Sequence, residues 1–169
     1  AIMPDLPHLQ VKWPNDLLHD GHKFGGILIE VSGDPQGASA AVIGVGLNVR
    51  LPALLSEGLE RPVTDIARLP RAPSNVAADG NDLPSRTQLL ATILERLAAA
   101  MPIYERDGFA AFRDGWLQRH AHRGRRVTVA QGERILLEGE AIGVGDDGAL
   151  MLQTAGGLRR VHSGEVSLR

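Results

Sequence analysis

Apolar and polar positions fall into three textures along the chain. From Leu9 to Val49, short apolar runs alternate with turn residues. Leu9 to Lys12 predicts a strand that stops at Trp13-Pro14, because proline cannot donate to a ladder. Asn15-Asp16 begins a turn, and Asp20-Gly21 is a two-residue hairpin signal. Lys23 to Val31 is the return strand. Its run Ile27-Leu28-Ile29 is apolar on both faces, as in a buried central strand. Gly33 to Gly37 reads as a loop, and Ala40 to Val49 as a second buried strand. The expectation is three consecutive antiparallel strands.

Leu51 to Ser85 has little periodicity and much Pro, Asp, Asn and Gly. It reads as loop, with a short helix at Thr64–Leu69 and a mobile stretch from Arg71 to Pro84. The period then changes. Leu89, Leu90, Ile93, Leu94 and Leu97 recur at helical spacing behind Ser85 or Thr87 as N-cap. Pro102 predicts an end or a kink. Tyr104, Phe109, Phe112, Trp116 and Leu117 predict a second amphipathic helix packed on the sheet. Beyond Gly124, strands are expected at Val127–Val129, Arg134–Ile142, Ala149–Gln153, Leu158–Val161 and Val166–Leu168. Gln131-Gly132, Asp146-Asp147-Gly148 and Ala155-Gly156-Gly157 are the turns between them. About forty-five residues of short hairpins suggest a small SH3-like barrel.

Composition narrows the classes. The 169 residues suffice for one domain plus a small appendage. Aromatics are only 4%, so the core must be aliphatic. A formal net charge of −2 gives no footprint for nucleic acid or anionic lipid. The chain has no cysteine, hence no disulfide framework and no thiolate nucleophile, which fits a reducing cytoplasm. No apolar run is long enough to span a membrane, and Ala1-Ile2-Met3-Pro4-Asp5 lacks the features of a signal peptide.

Candidate chemistry gathers at strand ends. Lys12 reads as a solvated lysine, the usual fate of that residue, or as an ammonium aimed at a carboxylate and an α-phosphate. Asn48 reads as a strand terminator or as an amide donor to phosphate oxygens. Gly25-Gly26 reads as a bulge, or as bare backbone on which a nucleotide can lie. Gly143 to Gly148 matches G-x-G-x-x-G, but it leads into a strand rather than a helix, and its aspartates would repel a pyrophosphate. His19 and His22 have no cysteine partner for zinc. Arg123 to Arg126 is a solvated junction or, less often for such a cluster, a phosphate or nucleic-acid contact. No Ser-His-Asp order is visible.

Three segments together resemble the biotin protein ligases. Lys12-Trp13-Pro14-Asn15-Asp16 matches the family's K-W-P-N-D signature, Gly25 to Glu30 its glycine-led strand, and Gly44 to Val49 its G-x-G-x-N-V strand. Gly164 to Arg169 resembles the end of its C-terminal barrel. The resemblance implies an α+β fold. Residues 1–122 would be the C-terminal part of a class II synthetase-like catalytic domain, with a mostly antiparallel sheet and packed helices. Residues 123–169 would be an SH3-like β-barrel. The implied activity is ATP-dependent attachment of biotin to a lysine of a biotin carboxyl carrier domain through biotinyl-5′-AMP, with Mg2+. Lys12 would be the catalytic residue. Lys12, Trp13, Asn15, Gly25, Gly26 and Asn48 would contact biotin or adenylate, with Trp13 and Asn15 shaping the loop. Glu165 and Arg169 would reach the nucleotide. Metal ligands are not indicated. The family's arginine- and glycine-rich loop and its optional DNA-binding domain have no counterpart here, so the chain is expected to be an inactive portion with an exposed sheet edge. A homodimer, a non-catalytic binding module and a lipoate–protein ligase remain alternatives.

Overall fold

The computed structural model describes residues 8–33, 39–52, 61–70 and 83–168. Two antiparallel sheets and two α-helices are found among them. The first sheet runs β1 (Leu9–Lys12), β2 (Asp16–His19), β3 (His22–Gly33) and β4 (Ser39–Leu47), each paired with the next. The expected three strands are therefore four. Asp16–His19 reads as turn because it is only four residues long, between Pro14 and the Asp20-Gly21 hairpin. That hairpin has positive φ at both central residues, which suits Asp-Gly.

The expected burial of Ile27-Leu28-Ile29 is not found. Leu28 is 60% and Ile29 57% exposed, and Val31 and Val42 are still more open. Among the described residues, cover exists only at the near end of the ribbon. There Phe24, Ile66 and Leu69 form a small core, joined by Leu17, Leu47, Val49, Leu83 and Leu89. An apolar run shows that a strand needs cover on both faces, but not where the cover comes from. The expected helix at Thr64–Leu69 is a single 3-10 turn, Ile66–Arg68, capped by Asp65.

Helix α1 (Arg86–Asp107) begins as expected at Ser85, whose hydroxyl accepts from Gln88 N while Gln88 Oε1 accepts from Ser85 N. It does not end at Pro102. It continues five residues further and stops at Gly108, whose φ of 65° is readily available only to glycine. Helix α2 (Ala110–Gln118) carries Phe112, Trp116 and Leu117; Tyr104 belongs to α1. Phe109, Trp116 and Leu117 pack against the core of the second sheet rather than that of the first.

The second sheet comprises β5 (Arg126–Gln131), β6 (Arg134–Val144), β7 (Leu150–Thr154), β8 (Gly157–Val161) and β9 (Glu165–Leu168), in the order β8-β7-β6-β5-β9. All five expected strands are present. Val127, Val129, Ala141, Val144, Leu150, Leu152, Val161 and Val166 are its buried residues. One further residue shares that core from far away in sequence: Trp13, 5% exposed. Its indole Nε1 donates to Gly148 O at 3.1 Å. Next to it, Val11 N donates to Arg119 O at 2.7 Å and Val11 O accepts from Ala121 N at 2.9 Å. The first sheet is thus fastened to the segment that enters the second.

Two histidines lie in that fastening. Burial pushes His120 down to about 4, with the charges of His122 and Arg123 adding to it. Burial likewise pushes His122 down to about 4, followed by Lys12 and Arg125. Neither Nδ1 has a hydrogen-bond partner among the described residues. The unfolded chain, with imidazoles near 6.5, binds more protons than the folded one between these values. This stabilisation is complete above about pH 6.5 and is lost as pH falls toward 4. The melting temperature should therefore drop through that window, and His122→Gln should flatten the drop, both measurable by calorimetry. Trp13→Ala should cost about 3–5 kcal/mol in denaturant unfolding, as for other buried aromatics. Trp13→Phe should cost less, since it keeps most of the volume and loses one hydrogen bond of about 1 kcal/mol.

Candidate functional site

Strand register assembles the centre of the site. Lys12 lies opposite Asp16, Asp16 opposite Gly26, and Gly26 opposite Gly46. Residues in one cross-strand row share a face. Lys12 Nζ lies 3.4 Å from Asp16 Oδ2, and the two side chains are only 13% and 12% exposed. Lys23 Nζ meets the other oxygen, Asp16 Oδ1, in a closer ion pair. One half-sunken carboxylate thus serves two ammonium groups.

The two glycines serve different faces. A Cβ on Gly26 would sit 3.6 Å from Asp16 Oδ1 and from Lys23 Cε, so Gly26 keeps the space over the charge cluster open. A Cβ on Gly25 would stand 2.7 Å from Leu47 Cδ2 and 2.8 Å from Gly46 O. Gly25 therefore faces the hydrocarbon side, where backbone and leucine leave no room. A register shift between Leu17 and Leu18 sets this spacing, turning Lys23 and Gly26 to one face and Phe24 to the other.

The second wall of the site comes from the second sheet and its entry segment. A cleft of about 540 Å³ is lined by Lys12, Asp16 and Lys23 on one side and by His122, Arg125 and Ser167 on the other. Arg61 also lines it and donates to Glu165 Oε2 at 2.8 Å. That hydrogen bond and the Arg61 charge hold the Glu165 carboxyl below the ordinary range. Lys12 adds to the effect and Asp16 opposes it, so Glu165 lies within the field of the cluster. Arg169 lies outside the described residues, as does most of the stretch 71–84.

Asn48 stands one step behind. Its Nδ2 donates to Thr64 O at 3.1 Å and, more weakly, to Lys23 O at 3.5 Å. The amide expected to face phosphates is spent on main-chain carbonyls, and it steadies the strand that carries Lys23. Thr64 N, donating to Lys23 O at 2.9 Å, grips the same residue. Asn15 is exposed, and its carbonyl accepts from Ile27 N at 2.9 Å. Trp13 is buried away from the cleft, in the second core. Of the residues expected at the site, Lys12 lines the cleft, Gly26 borders its charge cluster, and Glu165 is tied to it through Arg61. Gly25, Trp13 and Asn48 support it from behind.

Sequence reasoning missed Asp16 as a site residue in its own right, and missed Lys23, His122 and Arg125. One signal was available: Lys12 and Lys23 are the only lysines in the chain, against sixteen arginines. The two compact ammonium groups both sit on Asp16, where the wide guanidinium fork would not be equivalent. His122 and Arg125 are more than a hundred residues from Lys12, and no local pattern announces such a meeting. The G-x-G-x-x-G match is a hairpin turn closed by Gly145 N to Ala149 O, with Asp147 on Arg160. No cluster suited to a metal occurs among the described residues.

Comparisons with known proteins agree on one family. Residues 7–48 match the biotin/lipoate A/B protein ligase family, and residues 122–169 match the biotin protein ligase C terminal domain. The chain is 32% identical to the biotin--[acetyl-CoA-carboxylase] ligase of Paracoccus denitrificans over 94% of its own length and 62% of that protein. It is 29% identical to the bifunctional ligase/repressor BirA of Escherichia coli over 95% of its own length and 46% of that protein. The chain thus spans about half the length of the curated relatives it matches. Its fold superposes on the crystal structure of biotin protein ligase from Aquifex aeolicus with a TM-score of 0.74 at 24% identity, covering 95% of this chain and 65% of that one. The complex of that protein with biotin and ATP gives 0.70 at the same identity, with 95% and 62% covered. The matches at both ends, the relatives along nearly the whole length and the shared fold agree: this chain belongs to the biotin protein ligase family.

Proposed function

We propose that the protein attaches biotin to a lysine of a biotin carboxyl carrier domain in an ATP-dependent reaction passing through biotinyl-5′-AMP. The observation that carries this is the Lys12 ammonium, 13% exposed and held over an open cleft rather than in solvent. Joining a carboxylate to an α-phosphate brings two anions together and builds further negative charge on phosphorus. A fixed ammonium between them offsets the repulsion and acts most strongly where charge develops. No covalent enzyme intermediate is required, in keeping with a chain that has no cysteine.

Roles follow from position. Lys12 meets the carboxylate and the phosphate. Gly26 and Gly46 leave bare backbone beside it for the nucleotide. Glu165 approaches the nucleotide from the second sheet. Trp13, Asn15, Gly25 and Asn48 hold the frame. The division into 1–122 and 123–169 belongs to the same proposal and is supported by the two hydrophobic cores, with Trp13, which follows β1, reaching into the second. Magnesium finds no carboxylate cage among the described residues, because Asp16 is committed to two lysines. No step is assigned to it. A cytoplasmic location and a homodimer remain proposals of the same standing; no described helix is long and apolar enough to cross a membrane.

A second reading has its own support. The β3–β4 ribbon leaves Leu28, Ile29, Val31 and Val42 uncovered, as a non-catalytic binding module would. The chain can be mixed with biotin, ATP and a carrier domain, and carrier labelling followed by mass spectrometry. Labelling by the wild type that falls at least about a hundredfold in Lys12→Gln is the outcome expected of a ligase, given the usual cost of losing one preorganised charge. Nucleotide binding without any labelling favours the module.

A further inference from the structure

We propose that Lys23 is a positioning residue which neutralises Asp16 so that the Lys12 ammonium is free to leave it for an anionic ligand. The inference rests on the ligase reading above and concerns how its cleft is kept ready. Lys12 and Lys23 sit on opposite oxygens of one carboxylate, with Lys23 the closer and Lys12 at 3.4 Å. Asp16 is 12% exposed at its side chain, too little for water alone to carry its charge.

An arriving carboxylate or phosphate must draw Lys12 away from Asp16. With a single lysine, that departure would leave a sunken carboxylate unpaired, and its cost would be subtracted from ligand affinity. Lys23 removes the cost by keeping its pair on Oδ1 throughout. The main chain that carries Lys23 is held in place, although its side chain is 42% exposed. Lys23 N donates to Pro62 O at 3.0 Å, and Lys23 O accepts from Thr64 N and from the Asn48 amide. Gly26, three residues along the same strand, has no side chain to crowd the Lys23 stem; a Cβ there would stand 3.6 Å from Lys23 Cε. Asn48, Lys23, Asp16 and Lys12 thereby form one chain of support, with the second lysine as its pivot.

A double-mutant cycle tests the idea. ATP binding is measured by calorimetry on wild type, Lys23→Gln, Asp16→Asn and the double variant, with circular dichroism to show that each folds. Acetylation of Lys12 by acetic anhydride, read by mass spectrometry without nucleotide, is a parallel measurement. Lys23→Gln should weaken ATP about tenfold and slow Lys12 acetylation several-fold, as Asp16 takes hold of Lys12. Asp16→Asn should raise ATP affinity about tenfold in Lys23→Gln and by clearly less in wild type, a coupling typical of one ion-pair network. Lys23→Arg, which keeps the charge but not the compact shape, should fall between wild type and Lys23→Gln. Equal effects of Asp16→Asn in both backgrounds would mean that only net charge matters, and would overturn the proposal. If wild type and Lys12→Gln bind ATP equally poorly, the ligase reading fails. The acetylation cycle then still decides the role of Lys23, with equal effects again overturning it.

Discussion

Two ammonium groups on one sunken carboxylate set the terms for everything around them. Asp16 could not lie at 12% exposure without a cation, and Lys12, 13% exposed, could not be drawn this far from water without Asp16, while Lys23 reaches in from a more open position. The pairing needs a particular register, in which Lys12 stands opposite Asp16 and Lys23 is carried to the same face by the irregularity at Leu17/Leu18. It also needs a row without bulk beyond it, which Gly26 and Gly46 supply. The familiar sequence segments of the family are in this sense parts of one electrostatic arrangement.

The second sheet is part of the same arrangement. Trp13 follows Lys12 directly and is planted in the other core, while Val11, on its other side, is bonded to Arg119 and Ala121. Lys12 is therefore held at both neighbours by residues more than a hundred positions away. His122 lies on the far wall of the cleft, and burial keeps it neutral across the ordinary pH range. A protonated imidazole there would add a third positive charge beside Lys12 and weaken the hold of Asp16 on both lysines. The C-terminal sheet thus supplies one wall and the mounting for the other.

Much of the fold could be read from local chemistry. The five strands of the second sheet are bounded by turns such as Gln131-Gly132 and Asp147-Gly148, whose glycines adopt positive φ. The capping box at Ser85 and the Asp20-Gly21 hairpin are equally local. What failed was non-local. β2 is too short to show a period of its own. Of the end or kink expected at Pro102, the end is not found: the lost hydrogen bond is a local penalty, which the remainder of α1 outweighs. Leu28 and Ile29 advertise cover that the described residues do not provide. At the site, Lys12 could be singled out from its motif. Trp13 could not be placed, because its partners Val127 and Leu150 are distant in sequence. Lys23 went unnoticed although the scarcity of lysine pointed to it.

The most direct measurement is a crystal structure of the chain bound to a non-hydrolysable biotinyl-adenylate analogue. Lys12 Nζ should lie within about 3.2 Å of an oxygen on the analogue's phosphorus or carbonyl carbon, released from Asp16, with Lys23 still on the carboxylate. An analogue bound away from this cleft, or lying in it while Lys12 stays on Asp16, would contradict the role given to that ammonium.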